Sequence, residues 1–202
     1  MKIICIARNY SEHAKELNNE IPEKPVFFLK PDTALLQKGC DFYLPEFSEN
    51  VHFEAEIVLK ISKAGKYIQP EFAYNYFGEI SLGIDFTARD IQSELKSKGH
   101  PWEIAKAFDG SAVVGDFYDK REFDLNHLGF HLDKNKTTVQ KGNTEQMIHD
   151  FATIISEASR FFTLKTGDLI FTGTPAGVGK IEENDYLEGW IENRKVFEVS
   201  VK

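Results

Sequence analysis

Residues 51–57, Val-His-Phe-Glu-Ala-Glu-Ile, constrain this chain more than any other stretch. Apolar side chains hold the odd positions Val51, Phe53, Ala55 and Ile57, and the series continues through Leu59 and Ile61. Positions 52, 54 and 56 are His, Glu and Glu. Strict alternation of this kind predicts a half-buried strand over 51–61. Successive strand side chains point to opposite faces, so His52, Glu54 and Glu56 share one face, with the two carboxylates roughly 7 Å apart. A divalent cation between them can take one oxygen from each, and hard oxygen donors suit Mg²⁺, Mn²⁺ or Ca²⁺ better than zinc. A solvated strand face carries the same residue types, so these positions alone leave both readings open.

With 202 residues the default is one domain, large enough to bury a real core. The net charge of −8 disfavours a nucleic-acid partner. It also means that an anionic substrate needs local positive charge, or a metal, at its site. Cys5 and Cys40 form neither a metal-binding pair nor a disulfide framework, which fits a reducing cytoplasm. The apolar run Ile3–Ala7 is too short for a signal peptide or a spanning helix, so no membrane association is expected.

Along the chain, strands are expected over 2–7 and 26–30, and Ser11 starts a short helix over 12–17. On that helix His13 and Glu16 lie three apart and are neighbours. A His beside a carboxylate can serve as a general base, although an exposed amphipathic turn has the same spacing. Residues 70–77 suggest a short helix. A strand over 79–85 ends at Asp85, a helix starts near Thr87, and Gly99 and Pro101 close it. Asp85 is therefore either a metal ligand or a helix N-cap. Arg89 and Gln92 lie three apart, off the apolar stripe of Ala88, Ile91 and Leu95. Residues 104–110 suggest a strand with Lys106 packed among apolar neighbours. Strands over 111–117, 128–133 and 137–141 follow, the last two joined by a turn at 133–136. Asn143 or Thr144 caps the longest helix, expected to run to about 162. The loop Gly173–Gly179 does not have the spacing of a phosphate loop. Its backbone N–H groups and the Thr174 hydroxyl suit a carboxylate instead. Two strands, near 185–192 and 195–201, finish the chain.

Several strings, in this order and spacing, resemble the fumarylacetoacetate hydrolase family, and in particular its small, FAHD-type acylpyruvase members. They are Arg8 through Glu16, Val26 through Pro31, His52-Phe-Glu-Ala-Glu56, Asp85-Phe-Thr-Ala-Arg-Asp90, Trp102 through Phe108, and Thr172 through Gly179. The resemblance covers essentially the whole chain. It implies an α+β, mostly β fold: a mixed β-sandwich roll with flanking helices, assembled as a homodimer. It makes Glu54, Glu56 and Asp85 the ligands of one Mg²⁺ or Mn²⁺, with Ca²⁺ as a non-productive occupant. His13 and Glu16 become a base dyad on a mobile lid over 9–22, and Lys106 the charge that steadies the reacting oxygen. Arg8, Lys30, Arg89, Gln92 and Thr174 become substrate-pocket residues, while His52 is not expected to bind the metal. Ala107 departs from the family, where close relatives often carry Ser, with no expected chemical consequence.

The implied activity is cleavage of a carbon–carbon bond in small 2-oxo acids through a pyruvate enolate. Acylpyruvate hydrolysis and oxaloacetate decarboxylation are the two forms. An isomerase or tautomerase of the same skeleton is the alternative, and a non-catalytic metal-binding module is a third class. The complete His13–Glu16 dyad favours the first class, because a pure isomerase has less need of a base that activates water. Lys106, Arg89 and Gln92 beside the metal ligands argue against the third.

Overall fold

The computed structural model describes residues 1–16 and 22–202, with nothing stated for the side chains of Ala14 and Lys15. In chain order the strands are β1 (Ile3–Ala7), β2 (Val26–Lys30), β3 (Val51–Phe53), β4 (Ala55–Ile61), β5 (Phe77–Asp85), β6 (Thr87–Ala88) and β7 (Ala112–Val114). Then come β8 (Tyr118–Asp119), β9 (Gly129–Lys134), β10 (Thr137–Asn143), β11 (Leu169–Phe171), β12 (Gly179–Lys180), β13 (Tyr186–Ile191) and β14 (Arg194–Ser200). The helices are α1 (Ser11–Glu16), α2 (Arg89–Lys98), α3 (Glu103–Lys106) and α4 (Phe151–Phe161).

The main sheet has seven strands in the order β2-β1-β11-β4-β5-β7, with β8 also paired to β5. It is mixed, because β1 and β11 run parallel while their other neighbours are antiparallel. A four-stranded sheet, β10-β9-β13-β14, and a small sheet, β12-β3-β6, complete a mostly β architecture. The larger core cluster includes Ile4, Ile57, Leu59, Leu82, Ile84, Phe130, Ile154 and Leu187. A second cluster of Ile3, Cys5, Val58, Ala112, Leu169 and Phe171 covers the other face of the main sheet. β4 is therefore buried on both faces, not half-buried as its alternation suggested, and Val58 is as inaccessible as Ile57 and Leu59. Among the described residues, no helix is long and apolar enough to cross a membrane.

The expected single strand over 51–61 is broken at Glu54. Before the break the chain pairs in the small sheet with β6 and β12; after it, in the main sheet with β5 and β11. The antiparallel partner makes the same crossing between β5 and β6, at Phe86. The Asp85 N–H donates to the Glu54 carbonyl at 2.8 Å, so both chains change sheets at one level. The Ala55 N–H, freed by the break, donates to Gln140 Oε1 at 2.9 Å.

Two other expectations are corrected. Residues 104–106 belong to the single helical turn α3, in which the Lys106 N–H donates to the Trp102 carbonyl at 3.0 Å. The helix expected from 143 or 144 is divided. Asn143 caps only the 3₁₀ turn Thr144–Gln146, and α4 starts afresh at Phe151 with Asp150 accepting from the Thr153 N–H. The reason lies in Asn9, whose carbonyl and Oδ1 each take an N–H, at 2.8 Å, from Ile148 and His149. Residues 70–75 form a 3₁₀ helix.

Gly83 lies opposite Glu56 in the register of β4 and β5. A Cβ there would stand 2.4 Å from the Val113 carbonyl oxygen and 2.8 Å from the Phe171 ring. Backbone on one side and a fully buried ring on the other leave no room to relax. Gly83→Ala should therefore cost about 1–3 kcal/mol, the usual range for overpacking. In a chain of this length that lowers the melting temperature by roughly 3–10 °C. Scanning calorimetry of the variant checks this, and an unchanged midpoint would contradict the packing described.

Candidate metal centre and active site

The sheet crossing brings three acids together. Glu54 is 5% exposed, Glu56 2% and Asp85 0%, yet their carboxylate oxygens lie within 4.8 Å of one another. The break at Glu54 closes the separation that a regular strand would have kept. Asp85 is not a helix cap, since α2 begins at Arg89 behind Ala88 and has no side-chain cap. His52, on the far side of the break, bonds Asn50 at 3.0 Å and is not part of the acid cluster. Burial first, then the nearby Arg89 charge, lowers its pKa to about 4.

Two acids of the triad have cationic partners. Lys106 Nζ lies 2.8 Å from Glu54 Oε2, 2.6 Å from Asp85 Oδ2 and 2.6 Å from Thr87 Oγ1. All three of its N–H groups are thus directed at the triad and Thr87, and in this arrangement none is left for a substrate oxygen. Burial alone would lower the Lys106 pKa, but Asp85 and Glu54 outweigh it and the net shift is upward. Arg89 pairs with Glu54 Oε1 and donates to Gln92 Oε1 at 2.7 Å. Burial would raise the Glu54 pKa, but Lys106, Arg89 and His13 together hold it below the ordinary carboxylate range. Among the described residues, Glu56 accepts only from the Gly173 N–H, at 2.7 Å. Burial, then the Asp85 and Glu54 charges, push its pKa well up.

A divalent cation fits this group on its own chemistry. The donors are all carboxylate oxygens, the kind preferred by Mg²⁺ and Mn²⁺. Among the described residues, Asp85 Oδ1 accepts no hydrogen bond, although Lys30 Nζ lies 2.8 Å from it. Among the same residues the carboxylate of Glu56 is paired with no cation, and a metal ion would supply that countercharge.

The acids line a small cavity of about 40 Å³. Residues Arg89, Gln92 and Lys96 of α2 also line it, with Arg8 and His13 from the N-terminal segment, and Phe28, Trp102, Lys106 and Thr174. His13 is 5% exposed, and its Nδ1 lies 3.2 Å from Glu16 Oε2. The Gly177 N–H donates to Glu16 at 3.1 Å. The 173–179 loop does grip carboxylates, but they are the protein's own Glu56 and Glu16. The Thr174 hydroxyl accepts from Gln140 Nε2 at 2.9 Å.

Arg8, Arg89, Gln92 and Thr174 thus reach the cavity together with His13, Lys106 and the three acids. Lys30 does not. It is 1% exposed, and its ammonium lies against Asp85, the Lys106 carbonyl and both oxygens of Ser111. Its partner is a triad acid, so the expectation that it contacts substrate is corrected. Of the segment expected to form a lid over 9–22, residues 17–21 lie outside the described residues. Lys96, Phe28 and Trp102 were not singled out from the sequence. For Lys96 a signal existed, because it follows Arg89 and Gln92 on one helix face.

Residues 2–202 match the family profile described as "Fumarylacetoacetate (FAA) hydrolase C-terminal". The chain belongs to the fumarylacetoacetate hydrolase family. Mouse "Oxaloacetate tautomerase FAHD1, mitochondrial" is 41% identical over 191 residues, spanning 94% of this chain and 86% of its own. The solved fumarylpyruvate hydrolase of Pseudomonas aeruginosa, in complex with Mn²⁺ and pyruvate, superposes with a TM-score of 0.93 at 35% identity. That superposition covers 100% of this chain and 89% of the other. The 2-hydroxyhepta-2,4-diene-1,7-dioate isomerase of Mycobacterium marinum gives a TM-score of 0.86 at 34% identity, covering 99% and 73%. The protein is thus an enzyme of the hydrolase and isomerase type that this family contains, and its fold is the family's mixed, mostly β fold.

The charge balance generates a test. Glu56→Gln keeps an acceptor for the Gly173 N–H while removing the acid that lacks a cation. It should leave the metal-free protein as stable as the parent, or more so. It should also abolish stabilisation by Mg²⁺ or Mn²⁺, which for a ligand at 100 times its Kd amounts to about 2.7 kcal/mol. Melting curves with chelator and with metal check both halves. A metal shift equal to that of the parent would remove Glu56 from the ligand set.

Proposed function

We propose that this protein is a divalent-metal-dependent enzyme that cleaves a carbon–carbon bond in small 2-oxo acids, by acylpyruvate hydrolysis or oxaloacetate decarboxylation. One observation carries the reading: a single cavity is lined by the acidic triad, Lys106 and His13, whose ring is bonded to Glu16. The Pseudomonas neighbour, solved with Mn²⁺ and pyruvate, supports a divalent metal and a 2-oxo acid as ligands of an enzyme of this fold. Glu54, Glu56 and Asp85 would hold the cation, and when bound it supplies a Lewis acid to the 2-oxo acid unit.

The chain's own groups supply the remaining chemistry. Glu16, itself held by the Gly177 N–H, fixes the tautomer of His13 and offsets the charge the ring acquires. The ring nitrogen not bonded to Glu16 takes a proton from water, whose oxygen adds to the distal carbonyl carbon of an acylpyruvate. The bond from that carbon to the neighbouring methylene breaks, and its electron pair passes into a pyruvate enolate. His13 then returns the proton to the methylene carbon. The buried Lys106 ammonium places a fixed positive charge beside the developing enolate, where low dielectric strengthens its effect. Gln92 and Arg89, joined by their hydrogen bond, form the wall that orients the substrate.

Tautomerisation of oxaloacetate is a second reading, favoured by the mouse relative that bears that name. It needs a proton moved between carbon and oxygen but no attacking water, and the same dyad can carry it. The two readings part in the variants. His13→Ala should cut acylpyruvate hydrolysis by about 10²–10⁴-fold, as expected for a lost general base. Decarboxylation, which consumes no water, should fall much less. Lys106→Met should reduce both. Both activities are measured at saturating Mg²⁺ with products identified. Equal losses in His13→Ala would mean that the dyad positions substrate and does not activate water. Tautomerase activity with no bond cleavage would replace the first reading by the second.

A further inference from the structure

Gln140 lies on β10 of the four-stranded sheet, 2% exposed, and is not among the residues that line the cavity. The register of β10 against β9 passes from Thr138 opposite Asp133 to Gln140 opposite Leu132, so Val139 is an extra residue, a β-bulge. Without the bulge Gln140 would oppose His131, whose side chain is partly exposed. With it, the amide shares the inner face of the fully buried Leu132. Bulges re-aim side chains in this way, often beside active sites.

The amide that is turned inward bridges two segments that both serve the site. Its Oε1 accepts from the Ala55 N–H at 2.9 Å, at the strand break between Glu54 and Glu56. Its Nε2 donates to Thr174 Oγ1 at 2.9 Å and to the Pro175 carbonyl at 3.0 Å, both in the 173–179 loop. That loop holds Glu56 through the Gly173 N–H and, four residues on, Glu16 through the Gly177 N–H. Gln140 grips the stretch between these two donors. The bulge itself supports the second of them. Gly177 has a φ of 98°, and a Cβ there would stand 2.8 Å from the Val139 carbonyl oxygen. Only glycine lets the loop lie this close to β10 in that conformation. A buried amide bonded at both ends rigidifies what it joins.

We infer that Gln140 is a positioning residue for the base: it fixes the 173–179 loop, and through the loop Glu16 and His13, relative to the acid triad. This rests on the reading of His13 above as the group that activates water. Gln140 acts through the loop and meets no substrate, so the step that uses the base should suffer most when its amide is removed.

Gln140→Met keeps the volume and removes the amide. Steady-state kinetics of acylpyruvate hydrolysis and oxaloacetate decarboxylation at saturating Mg²⁺ read the effect, together with melting curves in chelator and in Mg²⁺. The kcat of hydrolysis should fall by about 10–100-fold, the cost of misplacing a reacting group by roughly 1 Å, with KM nearly unchanged. Decarboxylation should fall much less. Mg²⁺ should raise the melting temperature of the variant as much as that of the parent, because the pairing of β4 with β5 still holds the triad. General loosening of the fold would lower both reactions alike. Gln140→Asn retains a buried amide that is one carbon too short to reach both segments. It should show the same asymmetry, and it takes the place of the Met variant if that does not fold. Unchanged hydrolysis, equal losses in the two reactions, or a lost response to Mg²⁺ overturns the role of Gln140. A parent that responds to Mg²⁺ but cleaves neither substrate removes the reading of His13, and the role of Gln140 with it. A parent that hydrolyses acylpyruvates at a rate both variants keep refutes Gln140 alone.

Discussion

Three carboxylates buried within 4.8 Å of one another are the constraint around which the rest is arranged. Removing one charge from water is costly, and bringing like charges together adds to it unless counterions and donors answer them. Here the answer is layered. Lys106 spans Glu54 and Asp85, Arg89 takes the other oxygen of Glu54, Lys30 supports Asp85 from beneath, and Glu56 receives a backbone N–H. Ser111 ties the two lysines together, its hydroxyl bonding the Lys106 carbonyl and accepting from Lys30. Among the described residues Glu56 is paired with no cation, and this is where a metal would contribute most.

The fold supplies the rigidity that such a cluster needs. The acids sit where two antiparallel chains leave one sheet and enter another together, pinned by the bond from the Asp85 N–H to the Glu54 carbonyl. Behind them the main sheet is packed on both faces, so neither β4 nor β5 can shift without disturbing two cores. The other side of the site is the N-terminal segment, where His13 meets Glu16 and Glu16 meets the 173–179 loop.

Much of this was legible in the sequence because the chemistry there is local. The Glu-x-Glu alternation, the His-x-x-Glu spacing and the strand ending at Asp85 each mark a residue that reaches the cavity. What could not be read depends on pairing between distant segments. A regular strand would keep Glu54 and Glu56 apart; the break that closes them follows from pairing with both β6 and β5, and no residue within 51–57 announces it. Lys30, which the resemblance puts in the substrate pocket, is instead buried against Asp85, a residue far away in sequence. Residues 104–106 looked like a strand from their apolar neighbours, yet tertiary packing winds them into the turn that delivers Lys106. The long helix expected from 143 fails for the same reason, since Asn9, far away in sequence, claims the backbone of Ile148 and His149. Lys96 was within reach of sequence reasoning, since the helix face through Arg89 and Gln92 leads to it.

The central claim is that Glu54, Glu56 and Asp85 hold one divalent cation that presents a 2-oxo acid to His13 and Lys106. Anomalous diffraction from crystals grown with Mn²⁺ and oxalate tests it most directly. One strong manganese peak is expected, with an oxygen of each of the three acids at roughly 2.1 Å and oxalate completing the coordination on the cavity side. A peak that misses any of the three carboxylates, or none in the cavity at saturating Mn²⁺, would contradict it.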